Sequence, residues 1–93
     1  MHVVYELRGF LKDEGLQRAL HVQIFSPVAK NEDYSCVVRV HSILDDDREI
    51  YGIDEKQALY LAKNFVLALL DDHNVVDDRG MPLSLDTLKH HDS

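Results

Sequence analysis

Apolar and polar residues alternate through the first half of the chain, and in the second half the period lengthens. Between Val3 and Phe10, Val3, Tyr5 and Leu7 fall on one side and Glu6 and Arg8 on the other, the two-residue period of a strand. Lys12-Asp13-Glu14-Gly15 is polar and ends on glycine, which predicts a turn. Leu20, Val22 and Ile24 then alternate with His21 and Gln23, a second strand with one wet face that Pro27 ends for want of an N–H to donate. Lys30-Asn31-Glu32-Asp33 reads as a loop. Tyr34 to Ile43 reads as a third strand, with Cys36, Val38 and Val40 inward and Arg39 and His41 outward. Asp45-Asp46-Asp47 is a second turn before a short strand, Arg48 to Ile53. Three short connections in succession predict an antiparallel meander, because parallel pairing needs long crossovers.

From Gln57 the apolar positions are Ala58, Leu59, Leu61, Ala62, Phe65, Val66, Leu69 and Leu70, the spacing of a helix with a broad apolar stripe. Asp54 is placed to cap the free N–H groups, and Gln57 to reach back to the Asp54 amide. Asp71 and Asp72 fall at the end where the helix dipole disfavours anions, and Asn74 suits a left-handed cap. Val75-Val76 and Met81-Pro82-Leu83, on either side of Asp77-Asp78-Arg79-Gly80, predict a small hairpin. Leu85 and Leu88 are candidates to dock on the body. The expected fold is α+β: a four-stranded antiparallel meander, one long helix on one face and a short hairpin-like tail. Residues 1–88 form the single domain and residues 89–93 a frayed tail. The helix positions Leu59, Ala62, Phe65, Val66 and Leu69 are expected to bury against Val22, Ile24, Cys36, Val38 and Val40. On that reading Phe65→Ala costs about 3–5 kcal/mol.

Charge narrows the partners. Seventeen acids against ten bases give a formal charge of −7. Such a chain is repelled by nucleic acid and by acidic membrane surfaces, while a basic protein partner is allowed. The ordinary alternative is that acidity only keeps a small protein soluble. The single cysteine, Cys36, makes no internal disulfide, which fits a reducing, cytoplasmic setting. The N-terminus lacks the pattern of a signal peptide, and no apolar stretch is long enough to span a membrane.

Candidate chemistry is thin. Six histidines invite a metal reading. His2, His21 and His41 share one sheet face in some registers, but no His-Glu-x-x-His spacing occurs, and the adjacent His90 and His91 do not aim at one point. Asp45-Asp46-Asp47 lacks the alternating oxygens and glycine of a calcium loop, and Val75 and Val76 occupy the early ligand positions ahead of Asp77-Asp78-Arg79-Gly80. Cys36 falls in the inward phase of its strand, where a thiol is a small hydrophobe. No glycine-framed serine and no phosphate-binding glycine loop is present. No metal and no cofactor is therefore expected.

The segment Tyr51-Gly52-Ile53-Asp54-Glu55-Lys56-Gln57-Ala58-Leu59-Tyr60-Leu61-Ala62 resembles the YG(V/I)D-x-x-QAL-x-LA motif of a family of short uncharacterised bacterial proteins, a domain of unknown function. Upstream, Ile24, Pro27, Tyr34, Cys36 and Arg39 resemble that family's I-x-x-P … (W/Y)-x-C-x-x-R stretch. The likeness covers about residues 20 to 70. It implies four strands followed by a helix and carries no activity with it. The chain departs from the pattern at Asp45-Asp46-Asp47 and in its acidic tail.

Two functional expectations remain. The first is a non-enzymatic protein-binding module, in one form an inhibitor or immunity-type protein that masks a basic cleft. Its surface would comprise Arg8, His21, Gln23, Arg39 and His41 on the uncovered sheet face, interleaved with Val4 and Val37, together with the acidic positions Asp45, Asp46, Asp47, Asp71 and Asp72. That face is equally consistent with a simply wet antiparallel sheet. The second is a small-molecule binder or enzyme whose site, using His21, Arg39 and His41, lies between sheet and helix or at a dimer interface. A homodimer is expected through the edge Val3-Val4-Tyr5, which carries little protection against strand pairing. In the alternative, the segment from Val75 to Leu85 folds back over that edge and leaves a monomer.

Overall fold

A computed structural model describes residues 2–83 and 89–90 of the chain. Its strands are β1 (Val3–Asp13), β2 (Leu16–Phe25), β3 (Val28–Lys30), β4 (Asp33–His41), β5 (Arg48–Gly52), β6 (Val75–Val76) and β7 (Lys89–His90), with one helix, α1 (Glu55–Asp71), between β5 and β6. All strand pairings are antiparallel. β1, β2, β4 and β5 lie side by side in chain order, the expected meander.

The first hairpin is tighter and longer than its sequence suggests. Asp13 pairs Leu16, so the turn is only Glu14-Gly15, at φ 48° and 82°. Two positive φ values suit the right-handed twist of the flanking strands, and glycine takes the second at no steric cost. Pro27 does interrupt the ladder, but the chain resumes pairing beyond it. β3 continues β2 along the same side of β4, since Ser35 pairs Val28 on one side and Tyr51 on the other. Ile24 opposes Val38 and Val28 opposes Ser35, so one residue is extra on the β2–β3 side, a bulge at Phe25-Ser26-Pro27. The expected loop thus reduces to Asn31-Glu32, with Asn31 at φ 59°. A second irregularity falls between Val3 and Tyr5. It turns Val4 toward the helix-side core, not the outer face expected of it.

The core lies between one sheet face and the helix. Leu7, Leu11, Leu20, Val22, Ile24, Cys36, Val38 and Val40 form the sheet side; Ala58, Ala62, Val66 and Leu70 form the helix side. The buried helix positions recur every fourth residue, a narrower stripe than the sequence suggests. Leu59, Phe65 and Leu69, expected in the core, are only partly buried and flank it. The two alanines let α1 lie close over β4 and β5.

The helix start is fixed by a reciprocal cap. The Asp54 carboxylate accepts the Gln57 N–H at 2.7 Å, and Gln57 Oε1 accepts the Ile53 N–H at 2.8 Å. The expected partner of Gln57 was the amide of Asp54; the side chain reaches one residue further back. Gly52 permits this junction. A Cβ there would meet the Ala58 N, and its Cα at 2.8 Å, both backbone atoms that cannot swing aside. At the other end Asp72 closes the helix in ordinary right-handed geometry, so Asn74 is not a left-handed cap.

The expected small hairpin is present. Val76 bridges Pro82, and the Leu83 N–H donates to the Val75 carbonyl at 3.2 Å. It folds back on β1, with Val76 beside Phe10 and Val75 beside Leu11; β7 lies beside Tyr5 and Glu6. The β1 edge, expected to stand open for a second copy, is therefore covered in part by the chain's own later segments. Residues Lys89 and His90, expected in a frayed tail, make that second pairing. Leu85 and Leu88 lie outside the described residues, as do residues 91–93. Among the described residues no helix is long and apolar enough to cross a membrane.

Gly52→Ala is expected to cost about 1–3 kcal/mol in urea unfolding, because neither backbone can move without distorting sheet or helix. Leu20→Ala, at a position only 2% exposed, is expected to cost about 2–5 kcal/mol. Phe65, only partly buried at the edge of the core, is expected to cost less on truncation than the sequence implies, about 1–2 kcal/mol.

Candidate functional site

Every second side chain of β1, β2 and β4 points away from the helix, and the registers set these side chains in rows. Arg8 stands opposite His21, and His21 opposite His41. Glu6, Gln23 and Arg39 form the next row. Neighbouring strands are about 4.8 Å apart, so each row spans roughly 10 Å. The five residues expected on the uncovered face do share it.

Most of its charges are paired there. The Glu6 carboxylate hydrogen-bonds His21 Nε2 and has Arg8 at 3.6 Å. Arg39 grips Asp47 with a two-pronged contact, Nε and Nη2 each donating at 2.9 Å, and its guanidinium lies 5.1 Å from the Phe25 ring. Phe25 is thereby buried on the outer face, as Ser35 is. Next to β5, Lys30 Nζ donates to both Glu49 oxygens at 2.8 and 3.1 Å, Ser35 Oγ donates to Glu49 at 2.7 Å, and the Tyr51 hydroxyl donates at 3.2 Å. The hydrogen bond from Arg39 holds the Asp47 carboxyl below its usual range, and those from Lys30 and Ser35 do the same for Glu49.

Carboxylates without such partners gather at the borders. Asp45 and Asp46 are exposed beside Asp47, on the β4–β5 side. Across the sheet the turn of the C-terminal hairpin brings Asp77 and Asp78 to the outer side of β1. There, with Arg8, Phe10, Ala19 and His21, they line a shallow recess of about 400 Å³. Asp77 also builds its own turn, accepting the N–H groups of Arg79 and Met81 at 2.8 and 2.9 Å. The remaining expected positions, Asp71 and Asp72, lie elsewhere, at the C-terminal end of α1, whose last turn holds no basic residue. Asp71 borders a separate recess of about 200 Å³, floored by Leu7, Val66, Leu70 and Leu83, with His73 and Asn74 also lining it.

This geometry offers little for catalysis. Cys36 is fully buried, its thiol donates to the Phe25 carbonyl at 3.1 Å, and burial pushes its pKa up to about 11. His21, His41 and Arg39 are on the outer face, and none lines the recess between helix end and hairpin. Among the described residues, no three of His, Cys, Asp and Glu come together as metal ligands.

Sequence reasoning missed the Lys30–Ser35–Glu49–Tyr51 cluster, the Phe25–Arg39 stack and the position of Asp77–Asp78. The first needs the bulge at Phe25-Ser26-Pro27, which sets Lys30 near Glu49, with Pro27 its only local signal; the second is a diagonal pair across β2 and β4 whose register no local pattern gives. The third needs the hairpin to dock on β1.

Sheet, helix and returning hairpin define a small antiparallel α+β domain with one open, charge-paired face. The chain belongs to the family described as a domain of unknown function, DUF6968, whose model matches residues 8–84. No curated protein and no solved structure matches it.

Two measurements check the chemistry of this face and of the thiol beneath it. Asp47 and Glu49 titrate lower in the folded chain than their ordinary 3.8 and 4.5, so their pairs stabilise the fold above those values. That contribution is lost as pH falls through the lower folded values. Acid unfolding of Asp47→Asn with Glu49→Gln should show a shallower dependence on pH below about 4.5 than the parent. Cys36 runs the other way: its folded pKa is raised from 9.0 to about 11, so stability falls as pH rises between those values. At pH 8 the thiol should resist iodoacetamide in the folded chain and react once urea unfolds it.

Proposed function

We propose that this chain is a non-enzymatic protein-binding module whose working surface is the outer face of the sheet and whose partner is basic. The observation that carries the reading is the arrangement of charge on that face. Arg8, Arg39 and Lys30 are engaged by Glu6, Asp47 and Glu49, while Asp45–Asp46 and Asp77–Asp78 leave carboxylates on either side of it. Cations of a partner laid across the face would meet acids at both borders, with the partly buried Val37 between them. Opposite charge of this kind speeds encounter and selects partners. An inhibitor or immunity-type protein that covers a basic cleft is one form of such a module. A bacterial, cytoplasmic setting suits it, and the buried, unpaired thiol supports a reducing compartment. The enzyme reading has less support, because His21, His41 and Arg39 stand on an open face.

The test is capture from a lysate of the organism that encodes the chain, using the tagged protein and an Asp45→Lys, Asp46→Lys, Asp78→Lys variant. Asp77 is left in place because it builds its turn. The expected result is a basic protein held by the parent at low salt, released as salt rises and missed by the variant. A captured set identical for both, or no captured protein, would contradict the proposal.

A further inference from the structure

The solvent side of α1 is unusual for an exposed helix. Gln57, Tyr60, Leu61, Asn64 and Ala68 are all exposed and lie along one stripe at helical spacing, and none is charged. Tyr60 is 63% exposed and Leu61 38%; Ile53, just before the cap, is 72% exposed. A helix face that meets only water usually carries lysine and glutamate at such positions. Between Lys56 and Leu70 the charged residues are Lys56 and Lys63, so this stretch has no carboxylate in a chain of net charge −7.

We infer that this stripe is the contact between two copies of the chain, packed helix to helix in antiparallel fashion about a twofold axis near Asn64. Charge and shape select a second copy as the occupant. Two molecules of charge −7 repel, and close contact is least opposed where neither presents acids. An antiparallel pair also answers an electrostatic problem within each copy. Asp71 and Asp72 follow one another at the negative end of the helix dipole, with no basic residue in the last turn. In the pair, Lys56 and the positive N-terminal turn of one copy lie over the partner's Asp71. Glu55 opposes this arrangement, while the Asp54 carboxylate is already engaged by the Gln57 N–H. The same register sets Tyr60 beside the partner's Ala68, a large side chain against a small one, as closely packed helices require. Sheets remain outermost, so the outer faces stay free for another protein. The inference therefore stands independently of the proposed function.

Light scattering after size exclusion, from micromolar to millimolar protein, tests it. The parent is expected to rise from 10.7 kDa toward twice that mass as concentration increases. Leu61→Glu and Ala68→Glu, at exposed positions, are expected to hold the mass at 10.7 kDa while leaving the circular dichroism spectrum unchanged. Lys56→Glu should weaken the dimer, and adding Asp71→Lys to it should restore association. The Asp45→Lys, Asp46→Lys, Asp78→Lys variant should dimerise as the parent does. A parent of monomer mass throughout, a dimer untouched by both glutamates, or a charge swap that fails to recover would overturn the inference.

Discussion

The first turn of α1 rests directly on the backbone of Gly52, and much of the molecule depends on that contact. The meander leaves one apolar sheet face to be covered, and a single helix must cover it. A helix that follows β5 after only Ile53 and Asp54 has to turn back over the sheet at once. It does so because no side chain separates Gly52 from Ala58. The cap then holds the angle: Asp54 and Gln57 take up N–H groups that the abrupt start would otherwise leave unpaired. Ala58 and Ala62 continue the close approach, and Val66 and Leu70 fill the space further along.

Covering one face creates the conditions on the other. Alternation in β1, β2 and β4 commits Arg8, His21, Gln23, Arg39 and His41 to the open side as firmly as it commits Val22, Val38 and Val40 to the core. Long cations lie over aromatic rings there, Arg39 over Phe25 and Lys30 over Tyr51, and each has an acidic partner: Asp47 before β5 for Arg39, and Glu49 within β5 for Lys30. Such exposed pairs add little to stability singly; their effect is to order the face. The hairpin after α1 completes the arrangement by sealing part of the β1 edge and carrying Asp77 and Asp78 to the border of the same face.

Local pattern was enough for the four meander strands, the helix, Asp54 as its cap and most of the alternation between faces, because each of these is set within a few residues; it misplaced Val4 and overstated the burial of Leu59, Phe65 and Leu69. The return of Val75 and Val76 to the β1 edge was legible only as one of two alternatives, since nothing local says which edge a short strand will choose. The continuation of pairing past Pro27 was not legible, because proline removes one donor and leaves the neighbouring N–H groups free to pair. The candidate site divides in the same way. Its row of alternating residues follows from period alone. The Arg39–Asp47 grip and the Glu49 cluster depend on registers set over many residues. Asp71 and Asp72, grouped with the other acids by composition, belong to the C-terminal end of α1 and not to this face.

Amide hydrogen exchange at Ala58 tests the governing role of the junction most directly. Its N–H donates to the Asp54 carbonyl at 3.0 Å, and the residue is fully buried against Gly52. If the junction holds the helix on the sheet, this amide should exchange only through global unfolding, as slowly as those of Val22 and Val38. Rapid exchange at Ala58 while those two stay protected would show a helix that opens from its start, and would contradict the account.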